Sequence, residues 1–339
     1  MKRHRPLPEI RVTEVRKGVS SMRVGSGDFV YEFIPDWGRP PAGYEFGGVP
    51  GGAVDGRGRV HVFTRTPHPV LIFDAGGTFI KSWGEGVFSR PHNAFIGPDE
   101  SFYCIDDFDH TVRKCTYDGE ILMTLGTRNQ PSDTGYDGKN YHSIKRGAGP
   151  FNRPTSLGIG PGGELYVSDG YGNSRIHKFT PDGKLIKSWG QPGTGRGEFS
   201  IVHTLCVAKS GTVYVSDREN YRIQLFTPDG DFIEEWTDFH RPCGMFIGPD
   251  DLLFVTELKC DNPRVPHPLP PRFNILTLDG KLLARWGTDD IWQPGSFYAP
   301  HGLWGDPDGN IYVGELAADS EIPPRPAGYP AVHKMVRVR

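Results

Sequence analysis

Apolar and polar residues alternate in short runs along most of the chain, and each run ends at a turn built on Gly or Asp. The runs fall into a repeat. Residues 151–190 read FNRPTSLGIGPGGELYVSDGYGNSRIHKFTPDGKLIKSWG, and residues 199–236 read FSIVHTLCVAKSGTVYVSDRENYRIQLFTPDGDFIEEW. Each contains an apolar strand, a turn, a YVSD strand, a second turn, an RI-x-x-F-TPDG strand and a last strand ending in Trp. Weaker copies occupy 48–84, 89–126, 240–287 and 296–339. The pattern predicts four short strands per unit in six units, with the sixth stopping after its third strand.

The missing strand is found at the other end of the chain. Residues 28–38, DFVYEFIPDWG, read like the last strand of a unit and precede the first. Pairing this segment with the sixth unit closes a ring and removes exposed sheet edges. The expected fold is all-β, a six-bladed β-propeller of NHL-type repeats over 28–339, with 1–27 as an N-terminal extension. Three stretches break the rhythm, at 127–150, 259–271 and 317–331. All are polar or rich in Pro and Gly, as functional loops often are.

Composition changes the picture little. Gly 45 and Pro 31 among 339 residues count against a helical protein and suit many turns. The net charge of −3 and the lack of a basic block beyond the first residues argue against nucleic acid as a partner. No apolar run approaches the roughly 18 residues of a membrane helix. No apolar segment follows the charged start, so a membrane or secretory route is not expected and a cytoplasmic protein is. Five scattered cysteines form no CxxC pair, which argues against a disulfide framework or a thiolate metal site.

Candidate chemistry comes from stacking the units. The residue that opens the innermost strand is Gly51, His92, Thr155, His203, Cys243 and His301 in unit order. Histidine stands in units two, four and six only. Alternate blades of a six-fold ring are about 120° apart, so equivalent positions converge on the axis from three sides. Three imidazoles with an open fourth position describe a catalytic metal site, with zinc as the first expectation. Cys243 shares the ring of positions, either as a thiolate or as a small buried hydrophobe. A second repeated position carries Asp106, Asp169, Asp217, Glu257 and Glu315, and carboxylates at strand ends usually accept turn amides. The next position carries Arg65 and Arg218 in units one and four, residues suited to carboxylate recognition. Tyr171 follows in SDGYGNSR, where a metal and an arginine would lower its pKa and make it a base.

These motifs resemble a known family, the peptidyl-α-hydroxyglycine α-amidating lyases, from about residue 45 to 315. VHVFTRTPHPVLIFD is similar to the family's arginine-bearing strand. RPHNAFI, IVHTLCV and APHGLWG fall where its three zinc histidines fall. FNRPTSLGIGPGGELYVSDGYGNSRI is similar to the segment with its catalytic tyrosine, and VYVSDRENYRIQLF to that with its second substrate-binding arginine. The resemblance implies a six-bladed propeller with one catalytic zinc on His92, His203 and His301. It implies Tyr171 as base and Arg65 and Arg218 as substrate contacts. The implied reaction splits a carbinolamide, N–CH(OH)–COO⁻, into an amide and glyoxylate. Two departures stand out. The family's methionine before its third histidine is Ala299 here. Its aspartate after that histidine, linked to a structural calcium, is Gly302 here, which argues against the calcium. The expected partner is a small-molecule or short peptide-like substrate. A hydrolytic, lactonase-like propeller enzyme and a non-enzymatic NHL scaffold are the alternative readings.

Overall fold

The computed structural model describes residues 22–260, 268–318 and 322–338. Within them six sheets stand around a central axis. Blade one runs through Gly51–Val54, Val60–Phe63, Val70–Phe73 and Phe79–Trp83. Blade two runs through Pro91–Ile96, Phe102–Asp106, Thr111–Cys115 and Ile121–Leu125. Blade three uses Pro154–Ile159, Leu165–Asp169, Arg175–Phe179 and Leu185–Trp189, and blade four uses Val202–Val207, Val213–Asp217, Arg222–Phe226 and Phe232–Trp236. Blade five comprises Pro242–Ile247, Leu252–Glu257, Arg272–Thr277 and Leu282–Trp286. The first strand of each blade contacts the first strand of the next, and the sixth contacts the first, so the ring is closed.

Blade six starts with Pro300–Gly305, Ile311–Glu315 and Val332–Arg337, and the strand Phe29–Ile34 then pairs antiparallel with the last of these. The closing strand is where the repeat pattern predicts it. One addition was not expected. Met22–Ser26, inside the stretch read as an extension, folds back on Phe29–Ile34 as a fifth strand. The short Gly27-Asp28 turn between the two, with Gly27 at φ +57°, makes the hairpin possible.

No single core holds the ring together; each neighbouring pair of blades shares one. Phe63, Val70, Ile72 and Trp83 of blade one pack with Phe102, Cys104 and Cys115 of blade two. The other five junctions repeat this arrangement. At ~25 cal/mol per Å² of buried apolar area, these junctions are the main stabilising term. The DG turns lock onto them. Gly119 and Gly230 adopt φ +93° and +83°, and a Cβ on either would meet the terminal Trp of the preceding blade, Trp83 or Trp189, at 2.6 Å.

Strand direction decides where loops can act. Every innermost strand starts at one face, and its first residue pairs with the last residue of the second strand, as Pro91 does with Asp106. Connections between blades and between second and third strands therefore share that face, and the tight turns lie on the other. All three insertions leave from the face where the innermost strands begin. Parts of 259–271 and 317–331, and residues 1–21, lie outside the described residues. No helix among the described residues is long and apolar enough to cross a membrane.

Candidate metal centre

His92, His203 and His301 meet on the axis. Their rings are buried, with centroids 5.1, 4.8 and 4.6 Å apart in the three pairs. One nitrogen of each lies within 4.8 Å of the others, a grouping that could hold a metal ion.

The intervening blades aim these rings. His92 Nδ1 lies 2.6 Å from the carbonyl oxygen of Thr155, His203 Nδ1 lies 3.0 Å from that of Cys243, and His301 Nδ1 lies 2.9 Å from that of Pro50. A carbonyl only accepts, so each Nδ1 carries the hydrogen and each Nε2 presents a lone pair. His203 Nε2 and His301 Nε2 then face each other at 3.1 Å, and His92 Nε2 is buried with no hydrogen-bond partner among the described residues. Lone pairs this close repel unless they share a positive centre, so the donor set suits a cation. Burial holds all three imidazoles well below 6.5, reinforced by one another and by Arg65, Arg90 and Arg218. Neutral imidazole is the form that binds metal.

The repeated carboxylates fix the strand starts. Asp106 accepts from the backbone N–H of Ser89 at 2.5 Å and of Arg90 at 3.0 Å, just before His92. Asp217 accepts from Ser200 N at 2.7 Å, just before His203. Glu315 accepts from Tyr298 N at 3.2 Å and Ala299 N at 2.5 Å, just before His301. Asp169 and Glu257 hold Asn152 N and His240 N in the same way. All five are fully buried, in the role read from the sequence.

Tyr171 and Arg218 reach the same place. The Tyr171 hydroxyl is 3.1 Å from His203 Nε2, and Arg218 Nη1 donates to it at 3.4 Å. Burial raises this hydroxyl above 10, while Arg218, Arg90 and Arg65 pull it down; the arginines alone do not win. Arg65 reaches across to blade two, where its Nε donates to the carbonyl of Pro91 at 3.1 Å. Cys243 is not in the group of three that could hold an ion, although its sulfur lies 3.8 Å from His203 Nε2. Its sulfur is buried 3.6 Å from His203 Nδ1, the nitrogen turned away from the axis, and it packs against Leu258, Ala299 and Leu316.

Sequence reasoning missed part of the rim. Arg90 and Arg153 both donate to Asp107, and Arg241 donates to Glu219 beside Arg218. The signal was present: arginine precedes the repeated proline at Arg90-Pro91, Arg153-Pro154 and Arg241-Pro242. The insertion at 127–150 also reaches the site. Thr134 donates to the carbonyl of Gly172, next to Tyr171, and the Tyr136 hydroxyl accepts from Arg153 at 3.0 Å. That loop therefore props the backbone beside the tyrosine and anchors Arg153.

The calcium expectation turns on Gly302. A Cβ there would meet the Cα and N of Gly51 at 2.9 Å, so this backbone leaves no room for a carboxylate at 302. Position 302 therefore offers no side-chain ligand for that ion.

Known proteins agree with the repeat and the fold. The NHL repeat model matches residues 151–179 and 199–226, in blades three and four. The chain is 30% identical over 230 residues to the peptidylglycine α-amidating monooxygenase of Rattus norvegicus, covering 58% of this chain and 22% of that protein. It is 31% identical over 159 residues to peptidyl-α-hydroxyglycine α-amidating lyase 1 of Drosophila melanogaster, covering 43% of this chain and 27% of that protein. The chain carries NHL repeats and is homologous to the α-amidating lyases. It spans only about a fifth to a quarter of the length of these two relatives. The fold also resembles virginiamycin B lyase from Staphylococcus aureus, with a TM-score of 0.57 at 15% identity over 88% of this chain and 98% of that one.

Proposed function

We propose that the protein is a zinc-dependent lyase that cleaves the C–N bond of an α-hydroxyglycine-type carbinolamide, or a related small hemiaminal, to an amide and glyoxylate. One observation carries the reading: three Nε2 lone pairs converge on the axis with a tyrosine hydroxyl 3.1 Å from one of them and an arginine 3.4 Å from that hydroxyl. Homology to named amidating lyases supports it.

His92, His203 and His301 would hold the ion, and the chemistry it supplies when bound is Lewis-acid polarisation of the carbinol hydroxyl. The protein's own groups do the rest. Arg65 and Arg218 bind the carboxylate of the hydroxyglycine unit and keep its charge in place as glyoxylate forms. Tyr171, as tyrosinate, takes the hydroxyl proton at Oη. The C–O bond becomes the aldehyde, the C–N electron pair leaves with nitrogen, and Tyr171 returns the proton to that nitrogen. The sum is one carbinolamide to one amide and one glyoxylate, with no water consumed. Burial disfavours the tyrosinate; Arg218 lowers that cost, and a bound cation beside His203 would lower it further.

The test joins elemental analysis of the purified protein to a glyoxylate-release assay on N-acyl-α-hydroxyglycines. About one zinc per chain and metal-dependent glyoxylate release are expected. Zinc without release discards the lyase reaction, and no stoichiometric metal discards the centre.

A further inference from the structure

The arginines beside the histidines are more than one carboxylate needs. Arg65 and Arg218 serve that carboxylate in the reading above, on which this inference rests. Arg90 and Arg153 form a second group around a different acid. Arg90 Nη1 donates to Asp107 Oδ2 at 2.7 Å, and Arg153 donates to the same oxygen through Nε at 3.1 Å and Nη2 at 2.7 Å. Two guanidiniums share one buried carboxylate, so one positive charge remains. Both pack against Phe108, 4.9 and 4.7 Å from its ring centroid, and that ring is 52% exposed.

The two arginines differ in what they have left to give. Arg153 uses its third nitrogen on the Tyr136 hydroxyl at 3.0 Å and lies 5.2 Å above the Tyr171 ring. Its donors are committed. Arg90 uses Nη1 alone, its Nε and Nη2 make no hydrogen bond among the described residues, and its side chain is 19% exposed. Nε and Nη2 are the parallel pair that a carboxylate accepts fork to fork. The residue adjoins the Pro91-His92 strand start, and its charge bears on His92, His301 and Tyr171.

We propose that Arg90 is a second anion-binding residue of this pocket, and that the substrate is a dianion. It would be an N-acyl-α-hydroxyglycine whose acyl group ends in a second carboxylate. Arg65 and Arg218 hold the hydroxyglycine carboxylate, Arg90 holds the acyl carboxylate, and Phe108 supports the methylenes between them. Arg153 is a positioning residue, which fixes Asp107 and so the angle of Arg90.

Calorimetry with two inert ligands tests this in the full-length protein. N-succinylglycine is a dianion and N-butyrylglycine a monoanion of similar length, and neither has the carbinol hydroxyl. The dianion is expected to bind about 10- to 100-fold tighter, the size of a charge-assisted bidentate contact. In Arg90→Gln that ratio falls to about one. Arg90→Lys, which keeps the pairing with Asp107 but not the fork, gives an intermediate ratio and serves if the glutamine variant folds poorly. Equal binding of the two ligands by the wild type, or an unchanged ratio in both variants, overturns the proposal. The lyase reading fails separately. Glyoxylate release with no preference for succinyl over butyryl α-hydroxyglycine sinks the dianion site and keeps the lyase. A dianion preference in binding that disappears in Arg90→Gln, without glyoxylate release from either compound, supports the site and sinks the lyase.

Discussion

Blades two, four and six and blades one, three and five use one repeat position for two different tasks. The even blades place an imidazole there, at His92, His203 and His301. The odd blades place Gly51, Thr155 and Cys243 there, and a carbonyl at or just before each of these residues accepts the Nδ1 hydrogen of a histidine. Three candidate ligands thus sit inside a six-fold frame, alternating with the groups that aim them. Pseudosymmetry supplies both shells of the site, which is why a single histidine in this chain means little and the set of three means much.

Breaking an even blade should cost most. His203→Ala removes a ligand and the contact to Tyr171, so metal content should fall below one tenth per chain and glyoxylate release by at least about 10³-fold. Elemental analysis and the rate check it together; full metal occupancy in that variant would remove His203 from the donor set. Tyr171→Phe separates chemistry from binding. Metal content should stay at wild-type level while kcat drops about 10²- to 10⁴-fold.

An odd blade is challenged through its backbone. A Cβ at Gly51 would lie 2.6 Å from Asn93 Oδ1 and 3.0 Å from the Asn93 Cα, next to His92. Gly51→Ala should therefore cost about 1–3 kcal/mol in denaturant unfolding and weaken metal binding, although no ligand has changed. Wild-type stability and zinc affinity would mean that the blade-one start does not hold its neighbour.

Acid probes the two shells together. The three imidazoles titrate near 6.5 when unfolded and well below that when folded. As pH falls below about 6.5, the unfolded chain takes up protons first. Their contribution to stability is therefore complete above about 6.5 and is lost as pH drops toward the folded values. In chelator-treated protein, thermal scans from pH 7.5 to 5 should show the midpoint falling, more shallowly in His92→Asn. The smallest change belongs to the thiol. Cys243→Ala keeps the carbonyl that holds His203, so metal content should not change, and stability should fall by about 1 kcal/mol or less. Loss of metal there would make the sulfur a ligand.

The sequence makes some of this architecture easy to read and some of it hard, for physical reasons. A four-strand unit with local turns repeats its signature each time it is built, so blade boundaries, the closing strand and the histidine register show in the letters. Arg90 and Asp107 sit at paired strand ends of blade two and Arg153 at the start of blade three, so the three meet only when those neighbouring blades pack. Tyr136 comes from an insertion with no counterpart in other units, so no repeat position could mark it. The direction of the Tyr171 shift depends on how much water its hydroxyl keeps, and residue spacing does not reveal that. The strand Met22–Ser26 was missed because a hairpin outside the repeat borrows its pattern from none of the blades.

The pairing of Phe29–Ile34 with Val332–Arg337 also sets a timetable. During synthesis the early blades can form and stack as they emerge, N-terminal part first. The first of these two strands then waits through the translation of all six blades for its mate. His301 and its acceptor at Pro50 are 251 positions apart. The candidate metal centre therefore needs residues from the first and the sixth blade, and it cannot assemble before both have been made.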